Sequence, residues 1–144
     1  MSLAGDRAAD LDTLHPLPIV YGHEGLELPA IEFVLAAVLS PKANQLLVHS
    51  GDMTSKLEAF YGDRMVLRAL HRERENGAYR REVLLCTKGA GLPVEYGAIE
   101  INLGAFAPEL QQEIVEEHRP LGRLLNEHAV KNRSQPQASL RVTP

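Results

Sequence analysis

Residues 76–86 read NGAYRREVLLC, and this stretch decides the fold. Its first two residues, an Asn-Gly pair, lie between two runs that are typical of β-strands, residues 64–74 and 79–86. An Asn-Gly pair in this position is the strongest short-range signal for a β-hairpin, because both residues tolerate a positive φ angle. A third strand-like run follows at residues 93–103. The sequence therefore predicts a three-stranded antiparallel meander.

Arg81 is the most informative side chain of the middle strand. Because side chains alternate along a strand, Arg81 shares one face with Val83 and Leu85, while Glu82 and Cys86 point to the other. An arginine on an apolar face is costly to bury unless an anion meets it, and its planar fork suits a carboxylate. The alternative is an arginine near the strand end that extends to solvent.

The rest of the chain predicts helices around this sheet. The expected helices cover residues 29–39, a segment that starts at Ser40-Pro41, residues 53–60, residues 108–118, and a segment after Pro120. Residues 1–28 lack sustained periodicity and predict an irregular arm, whereas residues 138–142 alternate like a last strand at the sheet edge. We expect an α+β fold: one domain over residues 29–144, an antiparallel sheet, and helices packed on one face.

Composition narrows the classes of partner. The 144 residues, 44% of them apolar and 24% charged, are ordinary for a globular protein. A net charge of −4 argues against nucleic acid or an anionic membrane as a partner. The six histidines include no i,i+4 pair, and with one cysteine they predict no metal site and no cofactor.

The expected compartment is the cytoplasm. Cys86 is the single cysteine, which fits a reducing environment, and we expect it to be a small core residue. The N-terminus lacks the apolar segment of a secretion signal, and the apolar run at residues 31–39 is too short to cross a bilayer. The sequence predicts a soluble protein.

Three stretches resemble one enzyme family. Residues Arg81–Cys86 (REVLLC) and Pro120–Arg123 (PLGR) resemble the two most recognisable stretches of chorismate pyruvate-lyases, and residues 50–58 resemble the segment before that family's first sheet strand. Their order and spacing also fit, over roughly residues 40–143. The resemblance implies a chorismate lyase-like fold and the elimination of pyruvate from chorismate. The product, 4-hydroxybenzoate, would serve as a precursor of quinones or other aromatic compounds.

The resemblance also implies particular binding residues. Arg81 falls where the family binds the ring carboxylate, Leu121 where a backbone group contacts the ligand, and Met53 on a methionine that lines the pocket. Gly122 would allow close approach of the backbone to the ligand, or would shape the bend after Pro120. Met53 and Leu121 also suit ordinary core positions.

One expected part has no counterpart. Chorismate lyases continue into a final hairpin with an essential glutamate, and nothing here aligns with it. The chain therefore resembles a truncated form or a shortened relative. Glu95 and Glu100 are alternative proton donors, although each also suits a sheet edge or a position facing water, and Glu82 alternates away from Arg81.

Two other functions fit the same pattern. One is a non-catalytic domain that binds a small aromatic or cyclic carboxylate, as sensor domains of this fold do. The other is an interaction fragment, because a lone strand at residues 138–142 would leave an open sheet edge for self-association.

Overall fold

A computed structural model describes residues 13–49 and 51–143. Its elements, in chain order, are helix α1 (Leu17–Glu24), strand β1 (Ala30–Val34), a 3₁₀ segment (Ala36–Val38), helix α2 (Pro41–Leu47), helix α3 (Met53–Tyr61), strand β2 (Met65–Glu75), strand β3 (Ala78–Thr87), strand β4 (Pro93–Asn102), a second 3₁₀ segment (Leu103–Ala105), helix α4 (Pro108–Glu116), helix α5 (Leu121–Glu127) and strand β5 (Ser139–Thr143).

The predicted meander is confirmed. Strands β2, β3 and β4 form one antiparallel sheet in that order. The β2–β3 hairpin turns at Asn76 and Gly77, whose φ angles of 50° and 83° place both residues in the left-handed region. This geometry matches the twist of the flanking strands, which explains the Asn-Gly preference. The fold is α+β with antiparallel strands, as the sequence predicts.

An irregularity in β2 sets the neighbours of Arg81. The pairing register shifts between Ala69 and His71, so that Arg72 lies opposite Arg81. The shift returns Arg72 to the same face as Arg81, because a bulge inserts one extra residue. Nothing in the apolar–polar alternation of this strand signals the extra residue.

Three helices cover the sheet face that carries Arg81, called here the helix face. Ile114 of α4 and Leu124 of α5 are buried against Tyr79 and Ile101 of the sheet. Nearer the start of β2, Leu57 of α3 packs against Met65 and Leu85, which are also buried.

Residues at the helix ends fix where α2 and α3 begin and where α3 ends. The Ser40 hydroxyl accepts a hydrogen bond from the N–H of Ala43, so Ser40 caps α2, which starts where the sequence predicts. The Asp52 carboxylate caps α3 in the same way, and Gly62, with a φ of 64°, ends that helix.

Helix α1 lies on the opposite face, so the prediction of an irregular arm over residues 1–28 is wrong at least for residues 17–24. His23 is hydrogen-bonded to Glu73 of β2, and Val20 is fully buried. A single buried apolar residue leaves no periodic pattern in the sequence. This helix is therefore stabilised mainly by its contacts with the sheet. Residues 1–12 lie outside the described part of the chain.

The predicted helix over residues 29–39 is also wrong. Residues Ala30–Val34 form β1, which pairs with β5 in a separate two-stranded ribbon, with Ile31 opposite Val142. A short apolar run rich in branched side chains suits a strand or a helix. Here the segment is a strand because it pairs with β5, more than one hundred residues away in the sequence. The last strand therefore does not join the meander, and it has a partner within the chain.

Cys86 is buried and its thiol is free, as expected. Within residues 13–49 and 51–143, no helix has the length and apolar character needed to cross a bilayer.

Candidate functional site

A cavity of about 470 Å³ lies between the helix face of the sheet and the first turns of α3 and α5. Its apolar floor includes Val83 and Leu85. All four predicted binding residues line this one cavity: Arg81, Met53, Leu121 and Gly122. The structure thus brings together residues from three stretches that are distant in the sequence.

Arg81 is almost completely buried, with 2% of its surface exposed. Its Nη1 donates a hydrogen bond to the Ile114 carbonyl oxygen at 3.1 Å, near the C-terminal end of α4. That carbonyl is among those a helix end leaves without an internal partner, which explains part of the position of Arg81. The buried Nε has no partner, and none of the described carboxylates forms an ion pair with Arg81.

A chain of polar groups extends from beside Arg81 to the surface. Tyr79 donates a hydrogen bond to Glu117 Oε1 at 2.6 Å, and Arg72 contacts the same oxygen at 3.2 Å. Burial and then the hydrogen bond to Glu117 raise the pKa of Tyr79 to about 12. Glu117 is buried at the end of α4 with a φ of 60°. Sequence reasoning missed this group, because neither the bulge nor the unusual backbone angle has a local signal.

Glu95 also faces the cavity. It lies opposite Leu85 on the helix face, and its buried Oε2 has no hydrogen-bond partner. A Cβ built on Gly97 would lie 3.2 Å from Glu95 Oε1, so the missing side chain at position 97 leaves room for this carboxyl group. Burial raises the pKa of Glu95 to about 7. A group of this kind can be neutral at physiological pH.

Glu100, the other candidate proton donor, and Glu82 both lie on the sheet face away from the cavity. Glu100 lies on the opposite face, where it accepts a hydrogen bond from Arg80 Nε at 3.0 Å and contacts His15. The hydrogen bond with His15 is the main cause that lowers the pKa of Glu100. Glu82 is also on the opposite face and accepts a hydrogen bond from Tyr96. Neither carboxyl group is among those that line the cavity.

The wall opposite the sheet is formed by helix ends in close contact. Asp52 and Thr54, at the start of α3, lie against Gly122 at the start of α5. Burial acts to raise the pKa of Asp52, but hydrogen bonds from the backbone N–H and side chain of Ser55 and from Asn126 outweigh it and leave the pKa lowered. Asp52 is therefore a structural carboxylate of the cavity wall.

Two arginines complete the surroundings of the cavity. Arg133, in the loop between α5 and β5, contributes to the lining as an exposed residue. Arg123 pairs with Glu58 of α3 and donates a hydrogen bond to the Met65 carbonyl. This pair ties α5 to α3 and so fixes the cavity wall.

No group of three or more His, Cys, Asp or Glu side chains in the described ranges has an arrangement suited to a metal ion. Comparisons with known protein families, with curated proteins and with solved structures found no match to this chain. The resemblance to chorismate pyruvate-lyases rests on the three sequence stretches and stays a prediction.

Proposed function

We propose that this chain is a chorismate pyruvate-lyase with a chorismate lyase-like fold, acting in the cytoplasm. It eliminates pyruvate from chorismate and releases 4-hydroxybenzoate. The observation that supports this best is Arg81, a buried cation that lines an apolar cavity and has no carboxylate partner among the described residues. A buried charge of this kind is stabilised when a ligand supplies the anion.

In this proposal the cavity orients the substrate. Arg81 binds the ring carboxylate through its planar fork, and the ring lies over Val83 against Met53. Leu121 and Gly122 close the other side with their backbone. Because the ring becomes aromatic, the reaction is downhill, and the protein supplies mainly orientation and proton transfer.

Arg133 supports a substrate with two carboxylates. It lines the cavity from the exposed loop, whereas Arg81 lies on the buried floor. Chorismate carries a second carboxylate on its enolpyruvyl group, and 4-hydroxybenzoate carries only the ring carboxylate. Two cations in the lining, one buried and one exposed, suit the substrate better than the product.

The second candidate is a non-catalytic domain that binds a small aromatic carboxylate. It uses the same contact to Arg81 and requires no proton donor. It is supported by the same observation, the burial of Arg81 in the cavity lining without a carboxylate partner among the described residues. The two candidates share their binding site and differ only in turnover.

The test combines binding with product formation. Calorimetry with 4-hydroxybenzoate on the wild-type chain and on Arg81→Ala measures the binding site, and chromatography of chorismate incubations measures turnover. We expect binding that depends on Arg81 and product well above the uncatalysed background. Equal affinity in both proteins would remove Arg81 from the site. Binding without product would favour the second candidate.

A further inference from the structure

We infer that Glu95 is the catalytic acid of this cavity and that it also accepts the proton released by the ring. The inference rests on the proposed lyase function and adds the residue that performs the proton transfer. It differs from the arrangement implied by the family resemblance, in which the glutamate comes from a final hairpin. Glu95 instead lies on strand β4, in the part of the sheet that lines the cavity.

The position of Glu95 relative to Arg81 carries the inference. Glu95 Oε1 lies over Gly97, whose pairing partner in β3 is Val83. Arg81 is the next residue of β3 on the same face, so its Cα is about 7 Å from that of Val83. A ring whose carboxylate binds Arg81 therefore presents its far side, where the reaction occurs, to Glu95.

Glu95 also borders a second cavity. This space of about 430 Å³ lies between α2, α3 and β4, and both cavities are lined by Glu95 and Met53. Glu95 thus lines two spaces, one of which can hold the ring while the other receives the departing three-carbon group. A cavity of this size is ample for pyruvate.

Glu95 and Asp52, the two acidic residues that line the first cavity, differ in pKa and therefore suit different roles. Glu95 has no cation within pairing distance among the described residues, and burial raises its pKa to about 7. Asp52 has a lowered pKa because it accepts hydrogen bonds as the cap of α3. When the environments of two carboxyl groups move their pKa values apart, the group with the higher pKa keeps a proton that it can donate. Here that group is Glu95.

The proposed step balances without a further reactant. Glu95 gives its proton to the ether oxygen as the bond between that oxygen and ring carbon 3 breaks. The resulting carboxylate takes the hydrogen of ring carbon 4 as a proton, and the electron pair of that C–H bond completes the aromatic ring. Enolpyruvate leaves and tautomerises to pyruvate in water. Glu95 is neutral again, and no oxidant or reductant is required.

The test compares Glu95→Gln with the wild-type chain. Glutamine keeps the shape of the side chain but cannot transfer a proton. We expect the affinity for 4-hydroxybenzoate, measured by calorimetry, to change less than about threefold, while kcat falls by about 100-fold or more. Glu95→Asp should recover part of the rate. Glu100→Gln, which changes a carboxyl group on the opposite sheet face, should retain the wild-type kcat.

A pH profile gives a second readout that does not depend on any variant. The wild-type kcat should fall as the pH rises through about 7, because the acid form of Glu95 is lost. The other charged groups that line the two cavities are Asp52, Arg81, Arg133 and Lys42.

Three results would overturn the inference, and they are distinguishable. A Glu95→Gln kcat within threefold of wild type would remove the acid role while leaving the lyase function in place. A kcat that stays flat from about pH 6 to 9 would do the same. Failure of the wild-type chain to form 4-hydroxybenzoate at all would refute the lyase function itself, and the role of Glu95 with it.

Discussion

Gly122 lies directly against the side chain of Asp52: a Cβ built at position 122 would come within 2.8 Å of Asp52 Oδ2. The same Cβ would lie 3.1 Å from the Thr54 hydroxyl. Asp52 cannot move freely, since its carboxylate caps α3 by accepting the Ser55 N–H at 2.8 Å. The glycine thus sets how closely the starts of α3 and α5 approach beside the cavity.

Gly122→Ala should therefore separate these two helix ends. We expect a loss of about 1–3 kcal/mol in the free energy of unfolding, the range seen when a methyl group is forced into a packed site. Thermal unfolding gives the stability, and calorimetry with 4-hydroxybenzoate should show weaker binding because the cavity wall moves.

The matched control is Gly22→Ala in helix α1. No atom lies within 4 Å of a Cβ built at position 22, so the same chemical change meets open space there. Alanine favours the helix over glycine by up to about 1 kcal/mol, and this variant should keep or raise the melting temperature. Equal effects at both positions would contradict the close contact with Asp52.

The charge and the shape of Arg81 should both matter for binding. Arg81→Ala leaves the ligand carboxylate without its partner, and such a loss typically costs about 2–5 kcal/mol. At the upper end this is between about three and four orders of magnitude in the Kd for 4-hydroxybenzoate. Arg81→Lys should restore only part of the affinity, because an ammonium group cannot offer two parallel hydrogen bonds. Full recovery in the lysine variant would contradict a forked contact.

Arg133 should distinguish substrate from product. Arg133→Ala should weaken chorismate binding by about 2- to 5-fold, the size expected of an exposed ion pair, and should leave 4-hydroxybenzoate nearly unaffected. Competition between the two ligands measures both affinities in one experiment. Lys131→Ala, an exposed change in the same loop outside the cavity lining, is the control. Equal weakening of both ligands would contradict a second carboxylate contact.

The parts of the fold that depend on residues close together in the sequence could be predicted. The Asn76-Gly77 turn and the alternation through Arg81 are local, and they give the meander and the face on which Arg81 lies. The pairing of β1 with β5 could not be predicted, because it joins Ile31 to Val142 and these residues are far apart in the sequence.

The same distinction holds for the candidate site. The four residues indicated by the family resemblance line one cavity, but the environment of Arg81 depends on the bulge before Arg72 and on the end of α4. Glu95 was only one of two alternatives in the sequence. Its raised pKa depends on burial beneath helices that pack from distant parts of the chain, and no property of residues 93–103 reveals that burial.

Glu95 should also give the folded protein a distinctive response to pH. Its pKa rises from about 4.5 to about 7 on burial, so between these values the folded state holds a proton that the unfolded state has released. The free energy of unfolding contributed by this group therefore falls as the pH rises through that window. Glu95→Gln removes the effect and should match wild type near pH 4.5, but exceed it by up to about 3 kcal/mol at pH 8.

Urea unfolding of both proteins from pH 4.5 to 8 measures this difference directly. Glu27→Gln removes one carboxylate from an exposed position and controls for the change in net charge. The stability gap between Glu95→Gln and wild type should open as the pH rises, because only the wild-type chain must ionise a carboxyl group inside the cavity. A gap that stays constant over this range would mean that Glu95 is ionised throughout, and it would remove the proton on which its proposed chemistry depends.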